Sequence, residues 1–188
     1  PDNLVDQMNN YTDDIIKNES KSKDLDFGTQ LAGNVHQEFR LDIEFMKKID
    51  WANFLAKVCA QWIKLDSDKE LKDFRIIKSW IVRQFKNEYN PAHYHAGHIS
   101  GVGYLKVPKN LGTTLQKNKI TNQNGKLELI DSSPKLMSKG NYIIQPKVGD
   151  FYLFPAYLVH TVYPFTQTDE ERRSVSFNAA IDPLAASI

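Results

Sequence analysis

The sequence predicts an α+β domain in which N-terminal helices precede a mainly β body. Apolar residues first recur at helical spacing, and after Phe74 they alternate with polar residues in short segments rich in β-branched and aromatic side chains. Gly, Pro and Asn separate these later segments, as is typical of antiparallel strands. We therefore expect one domain over residues 1–188, with a helical support region at 1–72 and a sheet-rich barrel or sandwich at 73–188.

Two apolar patterns predict the helices. In the first, Leu4, Met8, Tyr11 and Ile15 recur at steps of three and four residues, and the pattern ends near the polar run 17–26. The second lies between residues 43 and 65 and forms a wide apolar stripe. Its members are Phe45, Ile49, Phe54, Leu55, Val58 and Trp62. We expect this second segment to be one long helix that packs on a face of the sheet.

Alternating patterns predict the strands. The first runs from Ile77 to Phe85 and ends before the turn signal Asn90-Pro91. Further strands are expected at 100–107, 126–130, 149–154, 159–163 and 173–180. The polar stretch 109–124 has no sustained period, so we expect a long surface loop there, which is a candidate lid for a site.

Composition and charge exclude several classes of partner. Lys and Arg total 24 against 23 Asp and Glu, which gives a formal net charge of +1, and the basic residues are interspersed with acidic ones. The chain therefore lacks the basic stripe that attracts a phosphate backbone, and we expect no nucleic-acid partner. No apolar stretch approaches the roughly 20 residues needed to cross a bilayer, so we expect no membrane partner.

The cysteine content and the N-terminus bear on location. Cys59 is the one cysteine, so the chain cannot form an internal disulfide, which favours a reducing compartment. No basic-then-apolar secretory signal begins the sequence, and we expect a cytoplasmic protein. The chain starts at Pro1 rather than at a methionine, so a leader or a longer N-terminal region can precede it in the natural protein.

Histidines supply the first candidate chemistry. Three of the five lie in the segment 90–98, and residues two apart on an extended chain point to the same side, so His93 and His95 can present both imidazoles to one metal ion. A polar loop with hydrogen-bonded histidines explains this pair equally well. His160 lies beyond an apolar strand and Pro155, and it is either a third ligand on a neighbouring strand or a core histidine bonded to a backbone carbonyl.

The strand near the C-terminus supplies the second candidate site. Arg172, Ser174 and Ser176 share one strand face, and Arg173 lies on the other face with Val175 and Phe177. A guanidinium followed two residues later by a hydroxyl can hold a carboxylate from two directions. The alternative is a surface ion pair between Arg172 and a neighbouring glutamate, which contributes little stability. The apolar context of the strand favours an inward role for one of the two arginines.

Together these segments resemble the 2-oxoglutarate and iron(II)-dependent oxygenases, most closely a group known from marine bacteria and cyanophages. The resemblance extends from about Ser79 to Asp182. It is carried by the segments His93-Tyr94-His95, 100–105, Gly149-Asp150, Phe154-Pro155, His160 and 172–178. It implies a double-stranded β-helix, or jelly-roll barrel, with the metal at its open mouth and the N-terminal helices packed outside.

The resemblance also implies the cofactors and the reaction. Iron(II) would be held by His93, His95 and His160, which are thus the candidate catalytic residues. The distal carboxylate of the co-substrate 2-oxoglutarate would be bound by Arg172 and Ser174, with a hydrogen bond from Tyr104. The implied activity is that of a dioxygenase, a hydroxylase that uses molecular oxygen on a small-molecule or peptide substrate. These motifs do not encode the identity of the substrate. They also do not encode the oligomeric state, for which a homodimer is one candidate.

One residue departs from the usual pattern of this superfamily. The first metal motif is mostly H-x-D or H-x-E, and His95 stands where the carboxylate is expected. Either the site has three histidines, or His95 is the first ligand and Gly97 occupies the carboxylate position. His98 is a further candidate for the second ligand.

Two other functions compete with this interpretation. The H-x-H pair, the Gly149-Asp150 turn and His160 also resemble the cupin motifs, but cupins usually carry a glutamate at the place of Ile99 or Ser100 and have no need for Arg172. A catalytically inactive small-molecule-binding barrel is the other alternative, because the metal-binding carboxylate is missing. Iron-dependent conversion of 2-oxoglutarate to succinate separates the oxygenase from both.

Overall fold

Two antiparallel sheets and a group of N-terminal helices make up the fold. The structure is a computed structural model, and it describes residues 1–116, 118–131, 133, 136–137 and 139–182. In spatial order, the first sheet contains β1 (Gln37–Arg40), β2 (Phe74–Gln84), β9 (Arg172–Ile181), β4 (Ile99–Lys106) and β7 (Phe151–Pro155). The second contains β3 (Asn90–His93), β8 (Val159–Val162), β5 (Leu127–Ile130) and β6 (Asn141–Ile144). The predicted mainly β body is confirmed.

The connectivity of the strands is that of a jelly roll. The chain crosses from one sheet to the other after β2, β3, β4, β6, β7 and β8, and every pair of neighbouring strands is antiparallel. This arrangement places the ends of β3, β8 and β9 around a common space between the sheets. Closure of the two sheets into a barrel stays a prediction, as does the division of the chain at residue 72.

Four α-helices occur in the described residues: α1 (Asp2–Lys17), α2 (Glu19–Asp24), α3 (Ile43–Lys48) and α4 (Trp51–Ser67). The single long helix expected at 43–65 is wrong, because α3 and α4 are separated at Ile49 and Asp50. Asp50 adopts a left-handed backbone with φ of 55°, a conformation that Asp tolerates better than most residues. The apolar period continues through this break, so periodicity alone does not reveal it.

Strand alternation divides the first sheet into a helix-facing side and a cavity-facing side. Ile81 and Phe177 belong to the apolar cluster that also contains the fully buried Trp51 of α4. Trp80 and Ser174, which have the opposite parity, line the space between the sheets. The helices therefore cover the outer face of this sheet, as predicted, and leave its inner face for a site.

No helix in the described part of the chain is both long and apolar enough to span a bilayer.

The strands expected from alternation are present, with ends displaced by a few residues, but three short strands were missed. β1 lies in the segment expected to be helical and pairs with residues 80–83 of β2. β3 and β6 also have four residues each, and β3 contains Pro91. Alternation over four residues is too brief to stand out, and proline argues against a strand.

The described residues of 109–124 contain no helix or strand, as expected of a loop, whereas their role as a lid stays a prediction.

Candidate active site

One cavity between the sheets collects the residues that the sequence singled out. Strands β2, β4, β7 and β9 line it from the first sheet, and β3, β5 and β8 line it from the second. All six candidate site residues contribute to its wall: His93, His95, Tyr104, His160, Arg172 and Ser174. The histidines and the arginine come from strands far apart in sequence, so the fold brings together two predictions that were made separately.

The three histidines form a cluster within this cavity. In the register of β3 and β8, His93 lies directly opposite His160, and their ring centroids are 4.3 Å apart. His95 follows β3, and its backbone N–H donates to the Ala156 carbonyl at 2.9 Å, which turns the ring toward the other two. Its centroid is 4.9 Å from each of them. One ring nitrogen from each histidine lies within 4.8 Å of the others.

Backbone carbonyls orient two of the three rings. The Nδ1 atom of His93 is 2.6 Å from the Pro91 carbonyl oxygen, and the Nδ1 atom of His160 is 2.9 Å from that of Leu158. A carbonyl oxygen only accepts, so Nδ1 carries the proton in both rings and the Nε2 lone pair is free for a metal. A carbonyl on the far nitrogen is also the usual way in which proteins fix a metal-binding imidazole.

Burial keeps the cluster uncharged. Loss of solvation lowers the pKa of His95 to about 3 and that of His160 to about 4, and repulsion from neighbouring histidines adds to both shifts. Burial also lowers the pKa of His93. At neutral pH the three rings are therefore neutral imidazoles, which is the form that binds a divalent metal ion.

The other end of the cavity contains a buried cation. Arg172 is 2% exposed, its Nη1 donates to the Gln84 side-chain oxygen at 2.7 Å, and its guanidinium carbon lies 5.0 Å from the centre of the Tyr104 ring. Among the described residues, neither the Nε of Arg172 nor the hydroxyl of Tyr104 forms a hydrogen bond of good geometry, although the two side chains are close enough for each to influence the pKa of the other. A buried polar group without a partner costs about 1–3 kcal/mol, so this pair of groups suits a ligand that carries acceptor atoms.

Gln84 is a residue of this site that sequence reasoning missed. It is completely buried, and its side-chain nitrogen donates to the Glu88 carbonyl at 2.5 Å and to the Tyr163 carbonyl at 3.5 Å. These two bonds fix the amide so that its oxygen faces Arg172. The strand pattern predicts that Gln84 is cavity-facing, but only the register of β2 with β9 places it opposite Arg172.

Arg173 has a different role from its neighbour. It is also fully buried, but on the helix-facing side, where it pairs with both carboxylate oxygens of Glu171 at 2.8 and 2.9 Å and with Asp13 of α1 at 2.7 Å. The parity argument that separated the two arginines is therefore right. The surface ion pair considered for Arg172 is not formed, because Glu171 is bound by Arg173 and Arg83.

The remaining alternatives for the metal motif lie outside the histidine cluster. The Nδ1 of His98 accepts the backbone N–H of Ile181 at 3.0 Å, and His98 does not line the cavity. Gly97 has a φ of +108° and packs so closely that an added Cβ would lie 2.8 Å from the Ala179 carbonyl oxygen. This geometry favours His95 over Gly97 and His98 as the partner of His93.

Comparisons with known proteins identify the family and the fold. A family model described as "Putative 2OG-Fe(II) oxygenase" matches residues 78–178, which is more than half of the chain and contains all six candidate residues. A search among curated proteins finds no significant match. The narrower resemblance to members from marine bacteria and cyanophages stays a prediction.

Solved structures show the same fold. AviO1 from Streptomyces viridochromogenes is 13% identical, with 99% of this chain and 87% of that chain covered and a TM-score of 0.62. The non-haem alpha-ketoglutarate-dependent epimerase SnoN from nogalamycin biosynthesis is 16% identical, with 99% and 80% covered and a TM-score of 0.61. A prolyl-4-hydroxylase from Pseudomonas putida is 15% identical, with 96% and 86% covered and a TM-score of 0.57.

Fold similarity at such low identity does not assign a substrate, and cupins share the jelly-roll architecture. The family match over residues 78–178 decides between the oxygenase and the cupin interpretations, because it includes the histidines together with Arg172. The chain belongs to the 2OG-Fe(II) oxygenase family.

Proposed function

We propose that this protein is a 2-oxoglutarate-dependent Fe(II) dioxygenase that hydroxylates a carbon of its substrate. One observation carries the proposal: a cluster of three neutral imidazoles and a buried guanidinium with an unsatisfied Nε share a single cavity. The first feature suits a metal ion and the second suits a carboxylate. A co-substrate that bridges a metal and an anion site needs both features in one cavity.

The histidine cluster fits iron(II). Imidazole nitrogens are ligands for iron, and His93, His95 and His160 would each hold the ion through one ring nitrogen, since these nitrogens lie within 4.8 Å of one another. In contrast to a site with two histidines and a carboxylate, three neutral rings leave both charges of the ion unbalanced. Binding of the metal and of the dianionic co-substrate should therefore favour one another.

The opposite end of the cavity fits the distal carboxylate of 2-oxoglutarate. Arg172 supplies charged donors, and Tyr104 supplies a hydroxyl without a partner. Ser174 lies opposite Tyr104 in the register of β4 and β9 and also lines the cavity. Charge-assisted hydrogen bonds to a guanidinium are about twice as strong as neutral ones, so Arg172 is the principal anchor. Gln84 acts through Arg172, because it fixes the direction of the guanidinium.

The bound iron and the side chains of the protein have different roles in the reaction. Bound iron supplies oxygen activation, in which 2-oxoglutarate and O2 yield succinate, carbon dioxide and one oxygen atom for the substrate. The chain orients the co-substrate between the histidines and Arg172, and it excludes water. Val102, Leu127 and Phe154 form an apolar wall, and the Phe154 ring lies 4.9 Å from the His160 ring. This wall lowers the local polarity and strengthens the anchoring interactions.

The test is iron-dependent turnover of the co-substrate. Protein loaded anaerobically with Fe(II) and 2-oxoglutarate is exposed to oxygen, and succinate is measured with and without pools of metabolites and peptides as substrates. We expect succinate to form, and to require both iron and Arg172. An Arg172→Met variant tests the anchor, and Arg75→Met, which alters an exposed arginine on β2, is the matched control. Absence of succinate in every condition contradicts the proposal, and incorporation of one atom from labelled O2 into the product tests hydroxylation.

A further inference from the structure

Strand β2 presents alternate side chains to the inner side of its sheet, and in order these are Gln84, Val82, Trp80 and Lys78. Val82 and Trp80 line the cavity itself, and Lys78 lines a neighbouring cleft together with Phe27. Gln84 is paired with Arg172, and Lys78 is paired with Asn178 at the other end of β9. At about 3.3 Å per residue, Lys78 and Gln84 are roughly 20 Å apart along the strand. The two basic side chains, Arg172 and Lys78, therefore stand at opposite ends of one face.

The histidine cluster lies between these two cations. The Trp80 ring is 5.6 Å from the His95 ring, and the Nζ of Lys78 lies 5.1 Å from the centre of the same Trp80 ring. The positive charge of Lys78 contributes to lowering the pKa of both His93 and His95. Lys78 is thus within electrostatic range of the cluster, on the side away from Arg172.

The ammonium of Lys78 is held by aromatic rings and not by a counter-ion. Its Nζ lies 5.8 Å from the centre of the Phe27 ring in addition to its contact with Trp80. Across the described residues, no carboxylate forms an ion pair with it. Glu38 acts on the pKa of Lys78 through its charge, but this carboxyl is 2% exposed and its own pKa is raised to about 7 by burial and by Asp26. A half-buried cation in this setting keeps its capacity to bind an anion.

A co-substrate held between the histidines and Arg172 would not reach Lys78. A five-carbon diacid spans only about 6 Å between its ends at roughly 1.5 Å per bond, and Lys78 lies about 20 Å along β2 from the residue that pairs with Arg172. Trp80 and His95 then separate the co-substrate from Lys78. An anion at Lys78 must belong to the other substrate, the one whose carbon is oxidised.

We propose that Lys78 is a specificity-determining residue that binds an anionic oxygen group, a carboxylate or a phosphate, on the substrate to be hydroxylated. This inference rests on the proposed function, because it uses the position of Lys78 relative to the metal and the co-substrate. Lys78 serves as a compact point charge with three donors, and it lies over the rings of Phe27 and of Trp80, which forms part of the cavity wall. Neutral analogues of the substrate should lack this interaction.

The experiment uses matched probes and measures binding apart from turnover. Protein loaded with Fe(II) and 2-oxoglutarate is kept anaerobic, and its melting temperature is measured with N-acetyl amino acids and their amides, and with phosphomonoesters and their parent alcohols. We expect either the N-acetyl amino acids or the phosphomonoesters to raise the melting temperature more than their neutral counterparts do. The class of compound that does so identifies the anionic group as a carboxylate or a phosphate. The same compounds should increase succinate formation when oxygen is admitted.

Variants assign the effect to Lys78. Lys78→Met keeps the length of the side chain without its charge and should weaken binding of the responding anions at least tenfold. Lys78→Arg should retain most of the binding, and Lys57→Met, at an exposed position of α4, should retain all of it. Affinity for 2-oxoglutarate should be the same in every variant.

Three results overturn the inference: unchanged anion binding in Lys78→Met, equal binding of anionic and neutral members by the unaltered protein, or no response to any probe. Failure of the proposed function gives a different result. In that case the unaltered protein shows no iron-dependent stabilisation by 2-oxoglutarate, before any probe is added, and both proposals fall together.

Discussion

Arg172 and Gln84 face each other across β9 and β2, and the guanidinium donates to the amide oxygen at 2.7 Å. Gln84 is itself held by the carbonyls of Glu88 and Tyr163. The direction of the principal co-substrate anchor therefore depends on a residue that does not have to touch the co-substrate.

Replacement of Gln84 should weaken 2-oxoglutarate binding without affecting the metal. Gln84→Met removes the acceptor and should reduce affinity by about 1–3 kcal/mol, because Arg172 loses a buried partner. Gln84→Glu should have a larger effect, since the new carboxylate neutralises the guanidinium that the co-substrate needs. Calorimetric titration with 2-oxoglutarate on metal-loaded protein measures both changes. Equal affinity in all three proteins would show that Arg172 is positioned by other contacts.

The two neighbouring arginines should respond in opposite ways. Arg172→Ala should weaken 2-oxoglutarate binding by about 2–5 kcal/mol, because a desolvated charge-assisted pair is lost. Arg173→Ala should change that affinity little but lower the free energy of unfolding by about 3–5 kcal/mol, since it leaves the largely buried Glu171 with one cationic partner fewer. Co-substrate titrations and denaturant unfolding separate the two effects. The reverse pattern would mean that the register of β9 is wrong by one residue.

The three-histidine set should bind a divalent metal with bonds of about 2.0–2.2 Å after small rotations of the rings. His95→Ala should lose most of the metal affinity, His95→Asp should retain it as the commoner two-histidine and carboxylate set, and His98→Ala should be unaffected. Metal content after dialysis and a crystal structure with metal provide the measurements. Nickel, copper or zinc can appear in such a crystal because they bind nitrogen sites more tightly than iron(II). Full affinity in His95→Ala would favour the arrangement with Gly97.

Glu38 should make stability fall as the pH rises. Burial raises the pKa of this carboxyl from 4.5 to about 7, so the folded state holds a proton that the unfolded state releases. Below about pH 4.5 Glu38 is protonated in both the folded and the unfolded state, so it does not affect the free energy of unfolding. Above that pH the destabilisation by Glu38 grows until the folded-state carboxyl also ionises near pH 7. The total is about 3 kcal/mol, at 1.36 kcal/mol for each pKa unit.

Glu38→Gln removes this dependence and should therefore be more stable than the unaltered protein at pH 8 and similar to it at pH 4. Glu70→Gln, at an exposed position, is the control and should leave the profile unchanged. Urea unfolding at several pH values between 4 and 8 measures the effect. Parallel profiles for the unaltered protein and Glu38→Gln would show that the folded-state carboxyl titrates at its ordinary pKa.

The sequence by itself determined the features that depend on local backbone geometry. Alternation along a strand placed Arg172 and Ser174 on one face and Arg173 on the other, and two-residue spacing placed His93 and His95 on one side of the chain. These relationships follow from the repeat of two residues in a strand, so they need no knowledge of the rest of the fold. The same holds for the order of helices first and strands later.

Only the tertiary structure decided which distant residues meet. His160 faces His93 because β8 pairs with β3, and Gln84 faces Arg172, 88 residues away, because β2 pairs with β9 in one particular register. The sequence contains no local signal for either pairing, since the choice of partner strand depends on the packing of all the strands and on closing long loops. The position of Lys78 likewise depends partly on the strand pattern and partly on the tertiary structure. Its side-chain direction and its place beside Trp80 were readable from the alternation of β2, but the contact of Trp80 with His95 exists only after the two sheets face each other.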